Sequence, residues 1–250
     1  MLDIQDGLAS ESRLRPHNPM STPRRRFLGW LGSASLLSVT SRPSMAPLAR
    51  LDAAKPPLDV EHPAAAADKW DMSWTARVSG KYRAVFDSPE HSYGAALSRA
   101  VAWCEQYKEV YDAARTDMSP VVVLRHQGFM LALNDAYWGE YELGKELKMR
   151  DEKGRKWART NPIATAPAGA DADTLAFTLP AFIASGGIVL ACAWSFGGAV
   201  ARVAKQDRID RAAAEAKARS MLLPGVILQP NGIFAALRAQ EAGCSYILAS

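Results

Sequence analysis

The sequence predicts an α/β fold in which three layers form, with helices on both faces of a mostly parallel, five-stranded sheet. Between residues 80 and 250, five short apolar segments alternate with helical patterns, the order expected of parallel strands joined by crossover helices. The segment 121–124 is Val-Val-Val-Leu, and such an unbroken apolar run is typical of a parallel strand buried on both faces. Turns that contain glycine or proline separate these segments.

The strands are expected at residues 81–87, 119–126, 188–191, 226–228 and 244–248. We predict a helix over residues 92–114 with Ser92 as its cap, and another over residues 171–183 that Pro180 kinks. A further helix is expected to begin near Trp194. Right-handed crossovers leave few topologies for such a chain, and we expect the flavodoxin-like strand order 2-1-3-4-5.

The longest irregular connection covers residues 138–167, which combine a short helical pattern, a charged turn and proline-containing loops. Long connections of this kind often serve as lids or as contacts between subunits. The charged residues at 151–156 also fit a surface that is simply exposed to water.

The overall charge of +4 is concentrated at the beginning of the chain. Six arginines and three acidic residues precede Pro47 and give that segment a net charge of +3, so the rest of the chain carries only +1. A nearly neutral body offers no basic surface for phosphates, which argues against nucleic-acid binding. Hydrophobic residues make up 48% of the chain, enough for a folded core.

Residues 21–39 have the layout of an export signal. Arg24 and Arg25 precede Phe27 and Leu28, and a modest apolar segment of about a dozen residues follows. That segment is too short to span a membrane. The paired arginines before Phe27 resemble a twin-arginine signal, which implies passage through the twin-arginine (Tat) translocase to the periplasm. A basic tail beside an apolar surface helix is the alternative interpretation.

We therefore divide the chain into residues 1–46, the signal peptide with its basic n-region, residues 47–79, a linker or lead-in, and residues 80–250, the α/β domain. Trp70 and Trp74 are expected to anchor the lead-in to the domain. Because many Tat substrates carry cofactors, a cofactor-binding protein is a minor alternative, although no residue pattern here indicates a cofactor.

Three cysteines, Cys104, Cys192 and Cys244, are too few and odd in number for a disulfide framework. Cys104 lies on the apolar stripe of the first helix and Cys244 at the last strand, so both are expected in the core. A disulfide between Cys192 and Cys244 stays open, because it depends on the distance between their Cα atoms.

Cys192 follows the third apolar strand directly, at the edge where parallel sheets bind ligands. The first amides of the next helix would favour a thiolate there. In the expected strand order, the end of the first strand is nearer to Cys192 than Arg125 and His126 are. Burial in the core is the alternative for Cys192. The residues expected to form a pocket with it are Asp87, Ser88, His126, Trp194 and Ser195.

Several segments resemble the DsrE/DsrF-like protein family. Leu190-Ala191-Cys192-Ala193 is similar to the cysteine-bearing strand end of that family. Residues 222–226, 231–233 and 237–247 resemble its closing pattern, and residues 81–87 and 121–126 fit its first two strands. The resemblance covers residues 80–248.

This resemblance implies an α/β fold, homo-oligomers such as trimers or larger rings, and sulfur carried as a cysteine persulfide with Cys192 as the acceptor. A sulfur donor or acceptor protein would then be a partner. The chain departs from the family in its export signal, its insert at 138–167, and Trp194-Ser195, where many relatives have Asn-Thr. A non-catalytic oligomeric binding or assembly module of the same fold is the second hypothesis, so enzymatic activity stays open.

Other site types lack their patterns. No Cys/His spacing resembles a zinc site, and Gly197-Gly198 lacks the phosphate-loop pattern. No G-x-S-x-G elbow is present for Ser-His-Asp catalysis. The sequence therefore indicates neither a metal nor a phosphate-bearing cofactor.

Overall fold

The computed structural model describes residues 69–151, 153–166 and 169–250. The export-signal residues Arg24, Arg25, Phe27 and Leu28 and the expected division at residue 46 lie outside the described residues. Within the described part of the chain, no helix has both the length and the apolar character needed to cross a membrane.

Five parallel strands form one sheet, which confirms the predicted three-layer α/β class. They lie in the order β4-β3-β2-β1-β5. The three central strands are almost entirely buried, whereas the two short edge strands are partly exposed. The strands are β1 (Tyr82–Ser88), β2 (Met118–Leu124), β3 (Ile188–Cys192), β4 (Val226–Gln229) and β5 (Ser245–Leu248).

The predicted strand order 2-1-3-4-5 is wrong. That order would place the first strand between the second and third, but β2 lies there, with Val121 opposite Val85 on one side and Ile188 on the other. The chain steps from each strand to its neighbour as far as β4 and then crosses the sheet, so that β5 pairs with the other side of β1. An apolar pattern indicates how deeply a strand is buried but not which strands flank it.

The helices lie between the strands, as the alternating pattern predicts. Short 3₁₀ helices cover Ser73–Arg77, Ser92–Gly94, Arg115–Asp117 and His126–Ala132. The α-helices of the described residues are α1 (Ala95–Tyr111), α2 (Asp135–Glu140), α3 (Leu143–Glu146), α4 (Ala172–Ala176), α5 (Leu179–Ala184), α6 (Ala193–Asp207), α7 (Arg211–Ser220) and α8 (Gly232–Glu241).

The two faces of the sheet have different covers. Phe86 and Ala191 pack in a large core with buried residues of α1, α6 and α7. Val85 and Leu190 point to the opposite face, where α8 covers them. Trp74 from the predicted lead-in is fully buried on this second face, which confirms its expected anchoring role. The face covered by α8 therefore has the thinner layer.

Two helix predictions need correction. Ser92 does not cap the first long helix, because Tyr93 and Gly94 adopt left-handed backbone angles and α1 begins only at Ala95. The predicted helix over 171–183 is two helices, α4 and α5. Pro180 lies in the first turn of α5, where its missing N–H removes no helical hydrogen bond, so it begins a helix instead of kinking one.

Several described residues of the insert at 138–167 pack into the core. Trp138 and Leu143 are fully buried, and the Asn161 amide donates to the carbonyl oxygens of Leu131 and Leu133 at 2.8 and 2.7 Å. Backbone groups that turn through a buried region need such partners, and this asparagine supplies them. The charged turn around residues 153–156 is exposed, as the alternative interpretation expects.

Candidate functional site

Cys192 is both the last residue of β3 and the residue that precedes the first turn of α6. Its fractional exposure is 5%, and its side chain makes no capping hydrogen bond to the helix. The sequence places the helix start near Trp194, and the structure places it at Ala193, directly after the cysteine. The thiol therefore lies where a buried strand gives way to a 15-residue helix.

A cavity of about 300 Å³ opens beside this thiol. It brings together four predicted site residues, Cys192, His126, Trp194 and Ser195. Asp87 and Ser88 do not line it. The remaining lining residues are Arg125, Asn231, Gly232 and Ile233.

The corrected strand order explains why Arg125 and His126 reach the cavity. β2 is the direct neighbour of β3, with Leu124 opposite Ala191, so the residues after Leu124 emerge beside Cys192. The His126 backbone N–H donates to the Ser195 hydroxyl oxygen at 3.0 Å, which ties the end of β2 to the first turn of α6. The expectation that the end of the first strand lies nearer to Cys192 than these residues is therefore wrong.

Asp87 contributes to the site through Arg125. The Arg125 guanidinium donates from Nε and Nη2 to the two carboxylate oxygens of Asp87, at 2.9 Å each. The Tyr246 hydroxyl donates to the same carboxylate at 2.6 Å, and this hydrogen bond raises the pKa of Tyr246. Asp87 is 1% exposed, whereas the Arg125 side chain is partly exposed. The buried carboxylate therefore holds Arg125 in place from the interior of the protein.

Ser88 has a structural role. Its hydroxyl donates to the Glu90 carbonyl at 2.7 Å, and its own carbonyl accepts the Arg125 backbone N–H at 3.1 Å. The side chain is fully buried. Ser88 shapes the turn after β1 and positions the start of the Arg125 segment, but it does not face the cavity.

A second helix also begins at the cavity. The Asn231 side chain accepts the Phe234 N–H at 2.8 Å and so caps α8. Gly232 packs so closely on Arg125 that an added Cβ would lie 2.3 Å from the Arg125 Cβ. The sequence shows Pro230-Asn231-Gly232 as a turn, but it gives no sign that this turn contacts Arg125 across the sheet.

Three groups with positive charge meet at the cavity. The amino ends of α6 and α8 carry partial positive charge, and Arg125 brings a guanidinium that is paired with Asp87. Such surroundings suit a sulfur atom that carries negative charge, either as a thiolate or as the outer atom of a persulfide.

The other two cysteines are core residues, as predicted. Burial raises the pKa of Cys104, and it raises the pKa of Cys244 to about 11. All three cysteines are free. Cys192 lies at the carboxyl end of β3 and Cys244 just before the amino end of β5, so they lie at opposite ends of the parallel strands. Three strand spacings, roughly 14 Å, also separate β3 from β5. A disulfide requires Cα atoms within about 7 Å, so these two cysteines cannot pair.

No cluster of His, Cys, Asp or Glu side chains among the described residues could hold a metal ion. No protein-family model, curated protein or solved structure matches the chain.

Proposed function

We propose that this chain is an exported DsrE-like protein that carries sulfur as a persulfide on Cys192. The observation that carries the proposal is the cavity in which Cys192 meets Arg125 and the amino ends of two helices. The DsrE/DsrF-like segments support the family, and the paired Arg24 and Arg25 support export to the periplasm.

In the proposed step, the Cys192 thiolate attacks the terminal sulfur of a donor persulfide. A new S–S bond forms at Sγ while the donor's S–S bond breaks, and its electron pair leaves with the donor thiolate. The thiol proton of Cys192 passes to solvent before the attack. Transfer to an acceptor thiolate repeats the same exchange, so the cycle needs no external oxidant or reductant.

Arg125 would act as a positioning residue in this cycle. Negative charge lies on Sγ before the attack and on the outer sulfur afterwards, and the guanidinium beside the cavity stabilises both. The ion pair with Asp87 prevents Arg125 from turning towards solvent. Trp194, which is 74% exposed, lies where an incoming donor would first touch the protein.

The test is intact-mass measurement after exposure to inorganic polysulfide. We expect a gain of about 32 Da, one sulfur atom, that dithiothreitol reverses. The variant Cys192→Ser should lose the adduct, whereas the matched variant Cys244→Ser should keep it. A folded wild-type protein that gains no sulfur would overturn the proposal, as would an adduct that persists in Cys192→Ser.

The second candidate function is an oligomeric binding or assembly module, and an exposed apolar surface favours it. This surface, the α8 surface, combines exposed residues of α8, of edge strand β5 and of the first turn of α6, next to the cavity. Exposed apolar residues grouped in this way commonly mark contact sites between proteins. The α8 surface consists of Trp194, Ile233, Leu237, Tyr246 and Leu248, each at least 43% exposed.

We infer that copies of this chain associate through the α8 surface to form a homo-oligomer. Sedimentation equilibrium should give a mass of several chains for the wild type and of one chain for Leu237→Asp. Val110→Asp is the control, because Val110 is even more exposed than Leu237 but lies on α1, away from this surface. A monomeric wild type, or an oligomer that Leu237→Asp leaves intact, would contradict the inference.

A further inference from the structure

A large cleft lies near the amino ends of the strands, away from Cys192, which lies at a carboxyl end. It has a volume of about 730 Å³, within the range of small-molecule sites. The second half of α1, the start of β2 at Met118, and the helices α4 and α5 enclose it. The cleft shares no lining residue with the cavity beside Cys192, so it is separate from the proposed persulfide site.

The walls of this cleft are mainly apolar. Val101, Met118, Ala176 and Phe182 line it, and Leu175 on α4 is 47% exposed at the same place. An exposed leucine on a short helix beside an apolar cleft leaves hydrocarbon in contact with water. Burial of a hydrocarbon chain in the cleft would remove that contact, which is favourable in proportion to the area buried.

The Arg115 guanidinium is the polar feature of the cleft. Its Nη1 donates to the Met118 carbonyl at 2.9 Å, but its Nη2 is buried without a hydrogen-bond acceptor among the described residues. A charged donor that is buried without an acceptor is unfavourable, so a movement of the Arg115 side chain that brings this atom to an oxygen acceptor of a ligand would be favourable. An anionic oxygen is the best partner for it.

The remaining polar residues of the cleft restrict the charge of that ligand. Lys108 adds a second cation, while Glu105 and Asp112 bring two carboxylates, all three on exposed side chains. With charges balanced in this way, a phosphate or another multiply charged anion gains little. Burial raises the pKa of Cys104 and keeps its thiol neutral, so the cysteine forms part of the apolar wall.

We propose that this cleft binds a medium-chain fatty carboxylate, with the hydrocarbon chain between α1, α4 and α5 and the carboxylate on Arg115. The wall composition selects an apolar body, the volume accommodates a flexible chain, and the unpartnered Nη2 atom selects a singly charged oxygen acceptor. This site is independent of Cys192.

The test is titration calorimetry of the full chain with decanoate and with decanol, both below the concentrations at which they aggregate. We expect decanoate to bind at one site and about tenfold more tightly than decanol, because only decanoate forms the charge-assisted hydrogen bond. In Arg115→Met this preference should disappear while decanol still binds. Arg159→Met is the matched control, because Arg159 is an exposed arginine outside the cleft.

Ala176→Trp tests the cleft without changing Arg115. The indole should fill the space beside Phe182 and abolish the binding of both ligands. The proposal is overturned if the wild type binds neither ligand or does not distinguish them. It is equally overturned if the preference for decanoate survives in Arg115→Met, or if Ala176→Trp still binds decanoate.

Discussion

Arg125 holds Asp87 through two parallel hydrogen bonds, although Asp87 lies near the end of β1 and Arg125 follows β2. Asp87 is 1% exposed, and Tyr246 on the edge strand is its only other side-chain partner within the described residues. The ion pair therefore links β1, β2 and β5 at the edge where Cys192 lies. A change in this ion pair is therefore expected to alter both the stability of the sheet and the shape of the cavity.

Loss of this pair should destabilise the fold. In Arg125→Met the buried Asp87 carboxylate keeps only Tyr246 as a partner, so we expect the free energy of unfolding to fall by about 3 kcal/mol. Urea denaturation followed by circular dichroism measures the change. The double variant Asp87→Asn/Arg125→Met removes the uncompensated charge and should regain part of the loss. A change below about 1 kcal/mol in the single variant would show that water reaches Asp87 easily.

The three thiols should differ in their rates of alkylation. Burial raises the pKa values of Cys104 and Cys244, and Cys104 lines a mainly apolar cleft, whereas Cys192 lines a cavity with Arg125 and the amino ends of two helices. With iodoacetamide at about pH 8, we expect Cys192 to react at least about tenfold faster than the other two. Peptide mass mapping over time measures the three rates. Urea-unfolded protein is the control, since there the three rates should converge.

The Cys192 rate also reports on Arg125. In Arg125→Met the guanidinium no longer stabilises the thiolate, so alkylation of Cys192 should slow several-fold while Cys104 and Cys244 keep their rates. Equal slow rates for all three cysteines in the folded wild type would mean that the cavity does not admit the reagent, contrary to the proposed sulfur transfer.

Stability should fall at alkaline pH, with a contribution from Cys244. Its folded pKa of about 11 exceeds the value of about 8.5 for an unfolded cysteine, so the fold favours the neutral thiol. This contribution is complete below about pH 8.5. It is lost as the pH rises towards about 11, because in this range the Cys244 thiol ionises in the unfolded chain but stays neutral in the folded one. Between pH 8 and 10.5, the wild type should lose about 2 kcal/mol more than Cys244→Ala.

Urea unfolding of both proteins at each pH measures that difference. Tyrosine and lysine titrations affect the two proteins alike and cancel in the comparison. Parallel stability curves for the wild type and Cys244→Ala would show that the thiol has no altered titration in the fold.

Export should depend on the paired arginines. Replacement of Arg24 and Arg25 by lysine keeps the positive charge but removes the twin-arginine pattern, so we expect the protein to stay in the cytoplasm of a Tat-competent bacterium. Cell fractionation and immunoblotting locate it. Arg13→Lys/Arg15→Lys is the matched control and should leave export unchanged. Periplasmic protein in the Arg24→Lys/Arg25→Lys variant would contradict the Tat assignment.

Much of the fold followed from local patterns. The apolar run at 121–124 and the Ile188-Val189-Leu190-Ala191 segment are buried strands, because such runs satisfy both faces of a parallel sheet. The strand order did not follow, since it depends on where the last crossover passes. β5 pairs with β1 by contacts between residues such as Tyr246 and Val85, which lie far apart in the sequence.

The candidate site was predictable to the same extent. Four predicted residues lie at or just after the end of a strand, and the rule that ligands bind at the carboxyl ends of strands identified them. They are Cys192, His126, Trp194 and Ser195. The expected strand order put Arg125 farther from Cys192 than the end of the first strand, so Arg125 is not among the predicted pocket residues. The contact between Gly232 and Arg125 had no local signal. A glycine in a turn usually indicates a backbone conformation that other residues disfavour, and the sequence alone does not show that a distant side chain packs against it.

The pairing of β5 with β1 has a consequence for the order of events during synthesis. Tyr246 donates to Asp87 across 159 positions of the sequence, and β1 has only one neighbour until Ser245–Leu248 has been made. A ribosome-bound chain that stops before this strand exposes one side of β1 and leaves Asp87 without its phenol partner. The surroundings of Arg125 beside Cys192 therefore reach their final form only after translation of β5, which makes this strand a precondition for the geometry of the cavity.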